Sequence, residues 1–133
     1  MESIHHLLMK SHTKLNRKVM NRAAQLGLTS GKPKILEYLH MYGESNQKAI
    51  AEYCEIEQAT AGNILLGMEN EELITRRQKD GNRRSLYVSL TPKGEELAVK
   101  VIDILNEEEN GITAGLSEQE KNTLALLLDK ISR

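Results

Sequence analysis

Residues 58–90 read QATAGNILLGMENEELITRRQKDGNRRSLYVSL, and the period of their apolar positions changes once, near residue 72. Before it, Ala61, Ile64, Leu65 and Met68 share a narrow arc at about 100° per residue, with Ala59, Asn63 and Asn70 opposite. That is a helix with one stripe for a core and another left outward. After it, Leu73-Ile74-Thr75 and Leu86-Tyr87-Val88-Ser89-Leu90 are β-prone runs, the second alternating apolar with small or polar residues. Asp80-Gly81-Asn82 supplies turn chemistry between them, which predicts a β-hairpin with a positively charged tip.

Working outward, Ser45 and Asn46 can cap a short helix carrying Ala49, Ile50 and Tyr53, and Glu55 to Glu57 forms a brief polar break before the helix at Gln58. Two short helices joined by so tight a turn describe a helix-turn-helix. Further upstream, Thr29 or Ser30 offers an N-cap, Pro33 sits in a first turn, and Ile35, Leu36 and Leu39 share the face of a helix ending before Gly43. A long first helix runs from about Ser3 to Gln25, with Ile4, Leu8, Leu15, Val19 and Leu26 on one side and Gly27 as its stop. Downstream, Thr91-Pro92 caps a helix bearing Leu97, Val101, Ile104 and Leu105 and stopped by Asn110-Gly111. Ser117 with Glu120 makes a capping box for a last helix striped by Leu124, Leu127, Leu128 and Ile131. Both terminal helices carry more apolar face than the middle of the chain can cover, and a second copy of the chain is the natural cover.

The chain's 133 residues suit one domain. With four Tyr and no Phe or Trp, its core must be built from Leu, Ile, Val, Met and Ala, which favours packed helices. Cys54 is the single cysteine, so no internal disulfide forms; with no signal peptide or long apolar run, the expected compartment is reducing cytoplasm, and no membrane partner is expected. The net charge of -1 hides a blocky distribution. Residues 10–34 carry seven basic residues and no acid, residues 35–72 sum to -7, residues 73–93 to +5, and residues 94–133 to -5.

No Ser or Cys stands with a partnered base and there is no phosphate loop, so an enzyme is not expected, nor any cofactor. Cys54 beside Tyr53 reads as packing before it reads as a peroxide sensor. His5, His6 and His12 lack the nearby Cys or carboxylate spacing of a metal site. Met9, Met20 and Met41 read as gap-fillers before they read as the lining of a ligand pocket.

The order helix, helix, helix-turn-helix, charged hairpin, two helices resembles the MarR family of bacterial winged-helix regulators over essentially the full length. The resemblance is carried by Leu28-Thr29 with Ile35 and Leu36; by Thr60, Leu65, Met68-Glu69, Leu73-Ile74 and Arg76-Arg77; and by Arg83-Arg84 ahead of Leu90-Thr91-Pro92-Lys93-Gly94. It implies a mainly α (α+β) fold: a winged helix-turn-helix over about residues 29–92 with a two-stranded β wing, flanked by dimerisation helices over about 1–27 and 92–133. It also implies a homodimeric repressor, released by a small-molecule effector, on a pseudo-palindromic double-stranded DNA operator. Two positions depart from the family pattern. Glu72 stands where the family usually has Gly, so closure of the helix is expected through Asn70. Asn82 stands where an Asp tends to precede the wing's basic pair, leaving Asp80 to substitute.

A helix fits the major groove and an Arg-bearing tip suits the minor groove. Gln58, Ala59, Thr60 and Asn63 are therefore the expected base readers, and Lys79, Arg83 and Arg84 the wing contacts. Lys32, Asn46, Lys48, Arg76 and Arg77 are the expected phosphate contacts. The acidic block at residues 35–72 supports a rival reading, a winged-helix protein-interaction module that binds no DNA. A metal- or redox-sensing regulator is the third.

Overall fold

The computed structural model describes residues 1–79 and 82–133, with the side chains of 79 and 82–85 outside the description. Six helices and three strands follow in the order α1 (Ile4–Gln25), α2 (Lys32–Tyr42), β1 (Ser45–Asn46), α3 (Gln47–Cys54), α4 (Gln58–Asn70), β2 (Ile74–Lys79), β3 (Asn82–Leu90), α5 (Pro92–Ile112) and α6 (Glu118–Ile131). The winged helix-turn-helix expected from the sequence is present, with one addition: β1 pairs with β3, making a three-stranded antiparallel sheet of order β1-β3-β2. Two residues are too few to show a strand period. The core is aliphatic, built on Ile35, Leu36, Ile50, Leu65, Leu73, Val88 and Val101, each essentially fully buried.

Helix ends set the angles between elements. Helix α2 begins at Gly31 rather than at Thr29 or Ser30, because those two residues form the turn whose Thr29 carbonyl accepts from the Lys32 amide. Gly31 has φ +89°, a left-handed backbone that disfavours a side chain, and a Cβ there would stand 2.5 Å from Ile64 Cδ1, which would have to shift. Asn46 caps α3 by accepting from the Ala49 amide at 2.9 Å. The Gln47 amide group donates to the Gln58 carbonyl at 3.1 Å, pinning the first residue of α4 to the first of α3.

Helix α4 does not close through Asn70. Glu72 itself takes the left-handed conformation, φ +62°, with the Leu73 amide donating to Met68 and the Glu72 amide to Glu69. This is a Schellman closure with Glu at the position usually given to Gly. From there the chain is tied to the start of α5. The Thr91 amide donates to the Leu73 carbonyl at 3.0 Å, the Thr91 hydroxyl to the Glu72 carbonyl at 2.7 Å, and Lys93 Nζ to the Glu71 carbonyl at 3.0 Å. The same Thr91 hydroxyl accepts from the Gly94 amide, capping α5. A Cβ on Gly94 would lie 2.0 Å from the Leu73 carbonyl oxygen.

Helix α5 passes through Asn110-Gly111 and ends at Ile112, where Thr113 donates its hydroxyl to the Glu109 carbonyl. A glycine near the end of a long helix costs only about 1 kcal/mol, too little to break established propagation. Ser117 and Glu120 form the expected capping box, and α6 has no buried residue. Ile4 at one end of the chain is 75% exposed and Ile131 at the other 63%.

Two stability changes follow. Gly94→Ala should lower unfolding free energy by about 3 kcal/mol, the upper end for overpacking, read as a reduced urea midpoint. Glu72→Gly should raise it by about 1 kcal/mol, because glycine adopts positive φ without the clash a side chain meets; an unchanged or lowered midpoint would show that the Glu72 backbone carries no such cost.

Candidate nucleic-acid interface

Helix α4 is amphipathic in the sense its sequence requires. Ala61, Leu65 and Met68 are completely buried against the body, while Gln58, Ala59, Thr60 and Asn63 are exposed. The four expected base readers therefore lie at the start and on the outward side of one helix whose two ends are fixed, by Gln47 at Gln58 and by the Glu72 closure. Two further side chains continue that face, Leu66 and Asn70. Leu66 is 49% exposed. Its apolar character disguises it as core, but the helical angle was the available signal, since it lies three residues from Asn63 and seven from Ala59.

The expected phosphate contacts are placed less uniformly. Arg77 makes a two-pronged pair with Glu44, Nε to Oε2 at 3.0 Å and Nη2 to Oε1 at 3.2 Å, and Ser89 donates to the same carboxylate at 2.7 Å. Arg76 Nη2 donates to Glu69 at 3.0 Å, and its side chain is 17% exposed. Lys32 pairs with Glu71, its own side chain 11% exposed. Asn46 Oδ1 is used as the α3 cap. Lys48, in the first turn of α3, is exposed. Three of the five are thus engaged by acids of the same chain, so a phosphate would have to compete with Glu71, Glu69 and Glu44 or share their cations.

This arrangement explains the acidic block. Glu44, Glu69 and Glu71 all belong to residues 35–72, and each meets a cation from a basic block. Each pair has at least one partner more than a third exposed to solvent, and pairs at the surface contribute about 0–1 kcal/mol; their effect is to fix where Lys32, Arg76 and Arg77 stand along the edge of α4 and β2. None of the three was legible in the sequence, because the partners are separated by 39, 7 and 33 residues and are joined only by the fold. The side chains of the wing candidates Lys79, Arg83 and Arg84 lie outside the described residues, as do that of Asn82 and the whole of Asp80.

Among the described residues no group of three or more His, Cys, Asp or Glu could hold a metal ion, and His5 Nε2 stands 3.3 Å from the Ser3 hydroxyl. Met9 and Met41 are more than half exposed.

The MarR family model matches residues 28–86, from the entry to α2 through most of the wing. Over 78 residues the chain is 37% identical to the HTH-type transcriptional regulator Hpr of Exiguobacterium sibiricum, covering 59% of this chain and 41% of that protein. The chain thus spans about two-fifths of that relative's length. In three dimensions it is similar to a putative MarR family transcriptional regulator from Listeria monocytogenes complexed with a 26mer DNA, with TM-score 0.92 and 21% identity over 99% of this chain and 88% of that one. It is also similar to BpsR of Bordetella bronchiseptica, whose DNA binding is regulated by 6-hydroxynicotinic acid, with TM-score 0.84 and 23% identity over 99% and 100%. At these identities the two structures establish the fold.

Cys54 closes α3 and is half-buried. Burial pushes its thiol above the ordinary cysteine range, and nearby Lys34 offsets this only in part. A raised value suppresses the thiolate, the form that reacts with peroxide. Iodoacetamide should therefore alkylate Cys54 in the folded protein more slowly than in the urea-unfolded chain at every pH below about 9, and faster native alkylation near neutrality would reinstate a redox role.

Proposed function

We propose that the chain, whose residues 28–86 match the MarR family model, is a MarR-family regulator of transcription that binds double-stranded DNA sequence-specifically as a homodimer. The observation that carries this reading is the outward face of α4, where Gln58, Ala59, Thr60 and Asn63 project from a helix fixed at both ends. A helix of that diameter enters the major groove, and Gln and Asn side chains pair with adenine edges. In the proposed complex Lys79, Arg83 and Arg84 of the wing reach the minor groove, and Lys48, with Lys32, Arg76 and Arg77 beside their carboxylate partners, sets register on phosphates.

The exposed apolar stripes of α1 and α6 supply the dimer contact. They divide the chain into a reading unit of about residues 29–92 and dimerisation helices of about 1–27 and 92–133. Two-fold symmetry then calls for a pseudo-palindromic operator with half-sites about one helical turn apart. Repression, relieved by a small-molecule effector that alters the separation of the two reading units, fits the joint between α4 and α5, through which a shift of the dimer helices reaches the reading face. The likeness to BpsR supports the effector. The function is binding, with no catalytic step and no cofactor. The compartment is the cytoplasm; no helix among the described residues is long and apolar enough to cross a membrane.

Binding of the full chain to random duplex should weaken by at least a factor of about 100 between 50 and 200 mM salt, as counterion release requires. The double change Arg83→Ala, Arg84→Ala should cost at least about tenfold in affinity while leaving the dimer intact. No binding at low salt would turn the reading toward a protein-interaction module; wild-type affinity in the double variant would remove the wing from the interface. Affinity that responds to zinc, a chelator or peroxide would favour the sensing alternative.

A further inference from the structure

The thirteen residues of α4 include no Lys or Arg. In the major groove, guanine is read chiefly by Arg or Lys on its O6 and N7, cytosine by Asp or Glu on its N4, adenine by Asn or Gln, and thymine by apolar contact with its 5-methyl group. The outward face offers Gln58, Ala59, Thr60, Asn63, Leu66 and Asn70, and the only acid of the helix, Glu69, is held by Arg76. This face therefore lacks the usual readers of guanine and of cytosine, and holds amides and apolar groups.

Leu66 is the one large apolar side chain that α4 leaves exposed. A lone exposed leucine is ordinary on a protein surface; its placement is not. It sits on the side opposite Ala61, Leu65 and Met68, which pack on the body, and one turn beyond Asn63. Three residues of helix rise about 4.5 Å, so the Asn63 and Leu66 side chains are close enough to reach neighbouring base pairs.

Resting on the DNA-binding reading above, we propose that α4 reads A·T pairs and that Leu66 is a specificity-determining residue, packing on the 5-methyl group of a thymine beside the adenine bound by Asn63. Gln58 and Asn63 supply the adenine contacts, and Ala59 and the Thr60 methyl leave room for, or touch, further thymine methyls.

The test begins with selection of bound duplexes from a random library by the full-length protein. Each thymine of the selected half-site is then replaced singly by deoxyuridine, which removes only the methyl group, and affinity is measured for wild type and for Leu66→Ala. One thymine per half-site should, on replacement, weaken wild type by about fourfold, the worth of one buried methyl. The same replacement should leave Leu66→Ala unaffected. Leu66→Met, which keeps an apolar contact, should retain sensitivity at that thymine and guards against a general loss of binding in the alanine variant.

The proposal fails if the α4 positions of the selected site require G·C pairs, or if every deoxyuridine replacement affects wild type and Leu66→Ala equally. Either result leaves DNA binding standing. Failure to bind any duplex at low salt removes the DNA-binding reading itself, and this assignment with it.

Discussion

The carbonyl of Leu73 occupies the space that Gly94 leaves by having no side chain, and the rest of the molecule is arranged around that contact. It brings the end of α4, the start of β2 and the first turn of α5 into one hydrogen-bonded joint, closed by the Thr91 amide and hydroxyl and by Lys93. One backbone bond and two side-chain bonds to backbone carbonyls, with no room for a Cβ at Gly94, leave the joint little slack. The reading face of α4 is thereby coupled to α5, and α5 carries Ala98, Val101 and Ile104 into contact with the core.

Helix α5 is held to α1 and α2 by few but well-placed polar contacts. His40 on α2 meets Glu95 in the first turn of α5, and Arg22 on α1 meets Glu107 at 2.7 Å and Glu108 at 3.5 Å further along it. These pairs lie at the surface and add little stability individually. Their positions at opposite ends of α5 fix its rotation relative to α1 and α2, while the aliphatic core fixes its distance. Among the described residues no such ion pair ties α6 to another helix; its capping box stabilises the helix itself, and its apolar stripe is exposed.

Charge illustrates how a one-dimensional reading misleads and is then repaired. An acidic run next to basic ones suggests repulsion of nucleic acid when read along the chain. Folded, Glu44 holds Arg77, Glu69 holds Arg76 and Glu71 holds Lys32, so part of the acidic block serves to position cations at the edge of the reading helix. Glu52 on α3 and the acids of the turn before α4, Glu55 and Glu57, are exposed.

The sequence by itself determined the number and order of helices, the hairpin, the capping residues Asn46, Thr91 and Ser117, the buried stripe of α4 and the four residues first expected on its outward face. Each of these depends on period or on a contact a few residues away, and such information is local. Tertiary structure alone decided the third strand, where two residues pair with β3, and the close approach of Gly31 to Ile64; the turn before α2, the closure of α4 by Glu72 and the passage of α5 through Gly111 are local features that residue type left open. Tertiary structure also decided which cations are held by acids, whereas the outward position of Leu66 was already implied by its helical angle. The third strand and the ion pairs depend on contact with a distant segment that only the folded chain brings near. The closure at Glu72 and the passage through Gly111 turn instead on local preferences of about 1 kcal/mol, too small to rank from residue type alone.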